Sequence, residues 1–313
     1  MVNNDSWGYI YCIFAAEMEE HKYKSGFVNI IGNPNVGKST LMNKLIGERL
    51  SIITSKAQTT RHRILGIVND ENHQIVFSDT PGIIQPNYNL QSSMMKFVRS
   101  AFQDADVFLY MVELGEKSLK DQSFFERLKK TEVPILLLIN KIDKSNQEGV
   151  ENAVKHWHEE LPKAKIIPIS ALEGFGVENI MNEIKEMLPE GTPFFPKDAL
   201  TDKPERFFVS EIIREKILLN YQKEIPYSVE VVVETFKEEE TIIRIGAIIN
   251  VARETQKGII IGHQGKALKK VGTQARKDLE IFFGKKVFLE LFVKVTKNWR
   301  DNDQDLKRFG YFI

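Results

Sequence analysis

Residues 32–39 read Gly32, Asn33, Pro34, Asn35, Val36, Gly37, Lys38 and Ser39, the pattern G-x-x-x-x-G-K-S. Glycines at both ends let backbone N–H groups wrap a polyphosphate. Lys38 can reach its β and γ phosphates, and Ser39 offers a hydroxyl to Mg²⁺. A nucleoside triphosphate is therefore the first ligand to consider. The plain alternative, a glycine turn that happens to precede a lysine, fits the flanks poorly. Residues 27–31 are apolar and strand-like, and 40–46, opening at Thr40, space their apolar side chains as a helix does.

Four further constellations accompany it. Asp79, Thr80, Pro81 and Gly82 come after a strand-like run over 73–78. They match the D-x-x-G element of GTP-binding proteins, in which the carboxylate holds Mg²⁺ through water and the glycine N–H senses a γ-phosphate. Asn140, Lys141 and Asp143 follow the apolar run 133–139. This places them at the carboxyl end of a buried parallel strand, the edge where open α/β sheets bind ligands. A carboxylate there accepts the N1–H and N2–H₂ donors that guanine has and adenine lacks. Asn140 would face the O6/N7 side of the base and Lys141 would pack along the ring. Ser170, Ala171 and Leu172, after the strand-like run 165–169, match the S-A-x element that supports guanine through a backbone N–H. Gln58-Thr59-Thr60-Arg61-His62 occupies the stretch where such proteins carry a mobile first switch with a Mg²⁺-binding threonine. Two adjacent threonines leave that choice open, with Thr60 favoured.

With these motifs in this order, the chain resembles the translation-factor-like GTPases. Within them it is similar to the bacterial GTPases of small-subunit ribosome assembly. The match is carried by residues 32–39, by Ser55-Lys56-Ala57-Gln58-Thr59-Thr60-Arg61-His62-Arg63, by 79–82 and by a second constellation near the C-terminus, over about residues 22–313. The resemblance implies GTP and GDP as ligands, with Mg²⁺ held by Ser39, Thr60 and Asp79. It also implies hydrolysis served by Lys38, Asn35, Thr60 and Gly82. Ras-like enzymes orient the attacking water with a glutamine just after D-x-x-G. Here Ile83 stands in that place, so intrinsic turnover should be slow. In related GTPases with a hydrophobic residue there, the phosphate-loop asparagine helps bind K⁺ in place of an arginine finger. The resemblance thus implies potassium stimulation through Asn35.

The elements that must position these groups read as six strands and about five helices, with helices over 91–103, 122–130, 149–161 and 177–188 after the phosphate loop. Such alternation argues for an α/β P-loop GTPase domain with a mostly parallel six-stranded sheet. Strands 64–68 and 74–77 are too close for a crossover and should form an antiparallel edge hairpin. A length of 313 residues makes two domains natural, and 42% apolar content fills two cores. No run approaches the ~20 apolar residues of a membrane span. One cysteine, Cys12, excludes an internal disulfide framework and fits a reducing cytoplasm. Residues 1–8 carry Asp5 and no lysine or arginine, unlike a secretory n-region, so 1–21 reads as an N-terminal extension without assigned function.

Net charge is zero, yet residues 253–300 hold 12 Lys+Arg against 4 Asp+Glu. Solvated helix-face lysines would explain that alone. Gly262-His263-Gln264-Gly265-Lys266 adds a G-x-x-G loop between apolar runs. KH domains clamp single-stranded nucleic acid with such a loop, because two residues without Cβ let the sugar-phosphate backbone approach. Around it lie a helix-like segment at 207–221, strands at 227–235 and 242–252, a basic helix at 267–283 and a strand at 286–295. That is the α-β-β-α-α-β order of an α+β type II KH domain. Lys266, Lys269 and Lys270 would meet phosphates. Ile248, Ile249, Val251 and the 259–261 run would line the groove floor, although any one of them could equally be core.

Residues 188–204 concentrate four of the eleven prolines, which marks a linker. Expected units are therefore the extension 1–21, a GTPase domain 22–190, a linker 191–205 and a KH domain 206–313. The resemblance further implies binding to the 3′ end of small-subunit (16S) ribosomal RNA, work on the 30S subunit, a monomer in the cytoplasm, and a peripheral membrane association. Two other readings compete: an ATP-using kinase or ATPase with a basic tail, and an RNA-binding protein whose nucleotide site is only structural. Asp143 opposes the first, and the joint presence of Lys38, Ser39 and Asp79 opposes the second.

Overall fold

The computed structural model describes residues 23–311. The expected N-terminal extension, with Cys12, lies outside the described residues. Strand β1 (Lys24–Gly32) runs into the phosphate loop and helix α1 (Lys38–Ile46). Then come β2 (Ile64–Asn69), β3 (His73–Asp79), α2 (Asn89–Ala101), β4 (Val107–Glu113), α3 (Gln122–Lys130), β5 (Ile135–Asn140), α4 (Gln147–Glu160), β6 (Lys165–Pro168) and α5 (Val177–Met187). They build one six-stranded sheet in the order β2-β3-β1-β4-β5-β6. Every neighbouring pair is parallel except β2–β3, the antiparallel edge hairpin.

Alternation along the strands explains the two covered faces. Val28 and Ile30 of β1 join Leu109, Leu136 and Leu138 under α1 and α5. Ile31, Phe108, Tyr110 and Leu137 point the other way, beneath Met94, Phe125 and Trp157 of α2, α3 and α4. All six residues of β5 are buried, so Asn140 emerges from the core at a fixed height.

The second unit begins with α6 (Glu205–Asn220) and continues through β7 (Val229–Glu238), β8 (Ile242–Val251), α7 (Glu254–Ile261), α8 (Lys266–Phe283) and β9 (Lys286–Val295). A three-stranded sheet β7-β8-β9 results, with β8–β9 parallel and one face packed on α6 and α8. The order is that of a type II KH fold. A single-turn 3₁₀ helix, Trp299–Asp301, and α9 (Asp303–Arg308) end the described chain.

The proline-rich connection follows the open edge of β2: Ile67 N donates to Leu200 O (2.8 Å) and Thr201 Oγ1 to Leu65 O (2.6 Å). Phe194 packs on Phe27 with ring centroids 4.9 Å apart. An edge that would otherwise invite strand pairing is thereby covered.

The segment joining α1 to β2 is gripped from the KH side. Buried Arg61 donates to Val229 O (2.7 Å) and Pro226 O (3.2 Å) and pairs with Glu230 (3.1 Å). Arg49 forks onto Glu215 at 2.6 Å, Lys56 donates to Tyr221 O, and Arg214 of α6 donates to Thr59 O. Tyr311 donates to the same Glu230 (2.6 Å). Burying these charges is tolerable only because nearly every one of them is paired.

Candidate functional site

The phosphate loop owes its shape to its glycines. At Gly32 (φ 152°) a Cβ would fall 2.2 Å from Met111 O, and at Gly37 (φ 107°) 2.3 Å from Asn140 Nδ2. Asn35 also takes a left-handed conformation, φ 65°, as asparagine tolerates. Lys38 is buried, with Nζ donating to Asn33 O (2.8 Å) and Gly32 O (3.2 Å) across the loop. Burial lowers its pKa to about 8, against the pull of Asp79 and Glu116. An anionic phosphate beside this amine would offset the cost of its buried charge.

Ser39, Thr60 and Asp79 converge. Ser39 Oγ donates to Asp79 Oδ2 (2.7 Å) and lies 2.9 Å from Thr60 Oγ1, which is itself 3.3 Å from Oδ2. Asp79 is fully buried and its Oδ1 has no hydrogen-bond partner among the described residues. Burial raises its pKa, opposed by the Ser39 hydrogen bond and by Lys38. A hard cation with oxygen ligands suits this set of two hydroxyls and an under-satisfied carboxylate. Thr59 faces elsewhere, its Oγ1 donating to Lys56 O (2.7 Å). Thr80 anchors the following turn through Ile30 O (2.7 Å), and beyond Pro81 a Cβ on Gly82 would sit 2.7 Å from Pro34 N. Ile83 is buried in the core.

At the base end, Asn140 Nδ2 donates to Val36 O (2.7 Å) and its Oδ1 accepts from Ala171 N (2.9 Å). Asp143 Oδ1 accepts from Ser170 Oγ (2.6 Å). One asparagine therefore ties phosphate loop, base loop and S-A-x turn into a single frame. Lys141 (φ 67°) pairs with Glu113 at 2.6 Å, which ties the end of β5 to the end of β4, while Leu172 is exposed. A cleft of about 60 Å³ runs between Pro34–Thr40 and the covering residues Ile52–Thr54 and Gln58–Thr60.

In the second unit, Gly262, Gln264 and Gly265 all take positive φ (70°, 50° and 73°), turning the chain sharply between α7 and α8. His263, Gln264, Lys266, Lys269 and Lys270 are exposed on or just after this turn. A groove of about 340 Å³ opens beside it, lined by Gly265, Leu268, Lys269, Gly272, Thr273, Arg276, Leu289 and Leu291. The expected floor is corrected here. Ile249 and Val251 are wholly buried beneath the helices and Ile260 in α7, whereas Ile248 is half-buried and Ile259 is exposed. The floor comes instead from α8 and the edge strand β9. Sequence reading missed Thr273 and Arg276; the readable signal was Gly272, a glycine in mid-helix whose Cβ would press on Leu291 at 3.3 Å.

Residues 27–141 match the family model described as 50S ribosome-binding GTPase, and residues 224–300 match that of the KH domain. The chain is 40% identical to Era solved in complex with MgGDPNP and nucleotides 1506–1542 of 16S ribosomal RNA, covering 93% of this chain and 100% of that one, with a TM-score of 0.89. The chain belongs to the Era family of GTPases. An Era variant from Aquifex aeolicus bound to GDP·AlF₄⁻ is equally similar, with 40% identity, the same coverage and a TM-score of 0.89.

Within this Era-family architecture, His62 plugs the junction of the two units. Its ring stacks on Tyr311 (centroids 4.4 Å apart) and meets Phe97 and Phe207 at 5.6 Å each. Burial, then the charges of Arg214, Lys203 and Arg61, push its pKa down to about 3. An unfolded histidine titrates near 6.5. The unfolded chain therefore binds the extra proton first, and His62 costs stability as pH falls from 6.5 towards 3. Thermal unfolding should shift down by several degrees between pH 7 and pH 5, and His62→Phe should flatten that slope. An unchanged slope would show that other groups govern the acid limb.

Proposed function

We propose that this chain is a GTP-hydrolysing switch that binds the 3′ region of 16S ribosomal RNA through its KH domain and assists 30S subunit assembly. The observation that carries the reading is the direct seating of the nucleotide-site segment on the KH unit. Thr60 stands beside Ser39 and Asp79, while Thr59 and Arg61, its neighbours, are bonded to Arg214, Val229 and Glu230. Whatever holds Thr60 in place therefore holds the KH domain in place. We take 22–190 as the nucleotide unit, 191–205 as the connection and 206–313 as the RNA unit.

For hydrolysis, Lys38 and the loop N–H groups bind the β and γ phosphates, and Asp143 with Asn140 orients the guanine. A Cβ on Gly82 would press on Pro34, so Gly82 stands beside the phosphate loop, where the resemblance gives its N–H a γ-phosphate to sense. Ser39, Thr60 and Asp79 would hold Mg²⁺, which would supply neutralisation of charge on the phosphates. Ile83 supplies no water-orienting atom. Asn35 Nδ2 donates to Ser55 O (3.1 Å). A K⁺ ligated by Asn35 Oδ1 and that carbonyl would have to replace this bond. The complexes of the relatives support Mg²⁺ and a guanine nucleotide, whereas K⁺ rests on the family resemblance. We further propose a monomer acting in the cytoplasm. No described helix is long and apolar enough to cross a membrane, and a peripheral association rests on the resemblance alone.

Turnover measured under saturating GTP tests this reading. Phosphate release should be slow, severalfold faster in K⁺ than in Na⁺ at equal ionic strength, and less cation-sensitive in Asn35→Ala. No GTP turnover in either salt would overturn the enzyme assignment; equal rates would remove only K⁺.

A further inference from the structure

The KH sheet turns one face to its helices and leaves much of the other open. Along β9 the inward residues Val287, Leu289, Leu291, Val293 and Val295 join the core. The outward ones read Lys286, Phe288, Glu290, Phe292 and Lys294. Phe288 is 44% exposed and Phe292 59% exposed. Register places Ile248 beside Phe292, and Arg244 beside Phe288 with its guanidinium 5.5 Å from the ring. Between these rows lies Glu290, opposite Gly246, which has no side chain to cover the strand. Lys286 and Lys294 form no ion pair among the described residues, so the two rings are bracketed by free cations.

A protein-binding surface would be apolar at its centre and poor in charge. This face instead alternates aromatic and charged positions, with lysines at both ends and Glu290 at the centre, a pattern that suits bases stacked between flanking phosphates. It is also continuous with the groove, since β9 contributes Leu289 and Leu291 to the groove on one side and the two phenylalanines on the other. As the edge strand of the sheet, β9 has no further neighbour to block a nucleic-acid strand passing around it.

We propose that the outer face of β9 is a second subsite for single-stranded RNA, taking nucleotides that flank those in the G-x-x-G groove. Phe288 and Phe292 stack unpaired bases, Lys286 and Lys294 meet phosphates, Arg244, already paired with Glu239, backs the Phe288 ring, and Glu290 accepts a base amino group. This extends the RNA-binding reading above and rests on it.

The test uses the full chain with Mg²⁺ and a non-hydrolysable GTP analogue. Its probes are two fluorescein-labelled strands of 3′-terminal 16S sequence, one of about 4 nucleotides, as a KH loop clamps, and one of about 12. Phe288→Ala with Phe292→Ala should weaken the long probe roughly tenfold or more and leave the short probe unchanged. The double Tyr variant, which keeps the stacking rings, should bind like the parent. Lys286→Glu with Lys294→Glu should also weaken the long probe, which guards against misfolding of the alanine variant. Ultraviolet crosslinking should place a nucleotide on the tryptic peptide 287–294. Unchanged long-probe affinity without that crosslink would overturn the subsite. So would loss of 30S co-sedimentation with intact naked-RNA affinity, which would mark a protein contact. His263→Asp with Gln264→Asp separates the two claims: if it spares both probes, the groove reading fails instead.

Discussion

Asp143→Asn is expected to move nucleotide preference from guanosine to xanthosine phosphates, with GTP affinity falling roughly 100-fold or more. The carboxylate is held by Ser170 Oγ at 2.6 Å and cannot swing away from the base. An amide puts a donor where guanine also presents donors, so two charge-assisted bonds become one bond and one clash of N–H groups. Each bond to a charged acceptor contributes about 1.5–3 kcal/mol. Xanthine carries a carbonyl in place of the 2-amino group and recovers the pairing. A competition titration with GTP, XTP and ATP in Mg²⁺ reads the switch. If the parent protein binds ATP as tightly as GTP, the guanine assignment is wrong whatever the variant does.

How much of this site could be read from the sequence depended on how local its geometry is. The phosphate loop is set by glycines within eight residues and by the strand and helix that flank it, so pattern and structure coincide. The residues proposed to bind the base are farther away in sequence, yet the continuous apolar run of β5 announces a buried parallel strand, whose carboxyl end is where open α/β sheets bind ligands. The choice between Thr59 and Thr60 is different. It depends on how the loop lies, and Arg214 sets that from 155 residues away. His62 and Arg61 look like switch residues in one dimension but turn out to sit at the centre of an interface. No local rule marks a loop arginine as buried beneath Val229 and Glu230.

The same limit explains the groove. An isoleucine-rich strand suggested its own side chains as a platform for bases. A central strand, however, has neighbours on both sides, and the helices cover its apolar face. The accessible apolar surface therefore belongs to the edge strand, whose alternating Lys-Phe-Glu-Phe-Lys face is visible in sequence only once β9 is known to be an edge.

His263→Asp together with Gln264→Asp is expected to abolish measurable single-stranded RNA binding while leaving the fold and GTP binding intact. Both side chains are exposed at a turn whose geometry comes from Gly262 and Gly265, so neither substitution removes a core contact. Gln264 already sits at φ 50°, a conformation that aspartate tolerates better than most residues. Two new negative charges would instead face the sugar-phosphate backbone where Lys266, Lys269 and Lys270 now attract it. Binding by the parent protein should weaken as salt rises, since each lysine that meets a phosphate releases a counterion. Anisotropy titrations across a salt series, with circular dichroism to verify the fold, measure both effects. Duplex RNA should bind more weakly than single strands at every salt, because the groove between α8 and β9 admits unstacked bases and not a closed A-form helix. Undiminished affinity in a folded double variant would reduce the G-x-x-G loop to a turn and move the RNA contact elsewhere on the basic block.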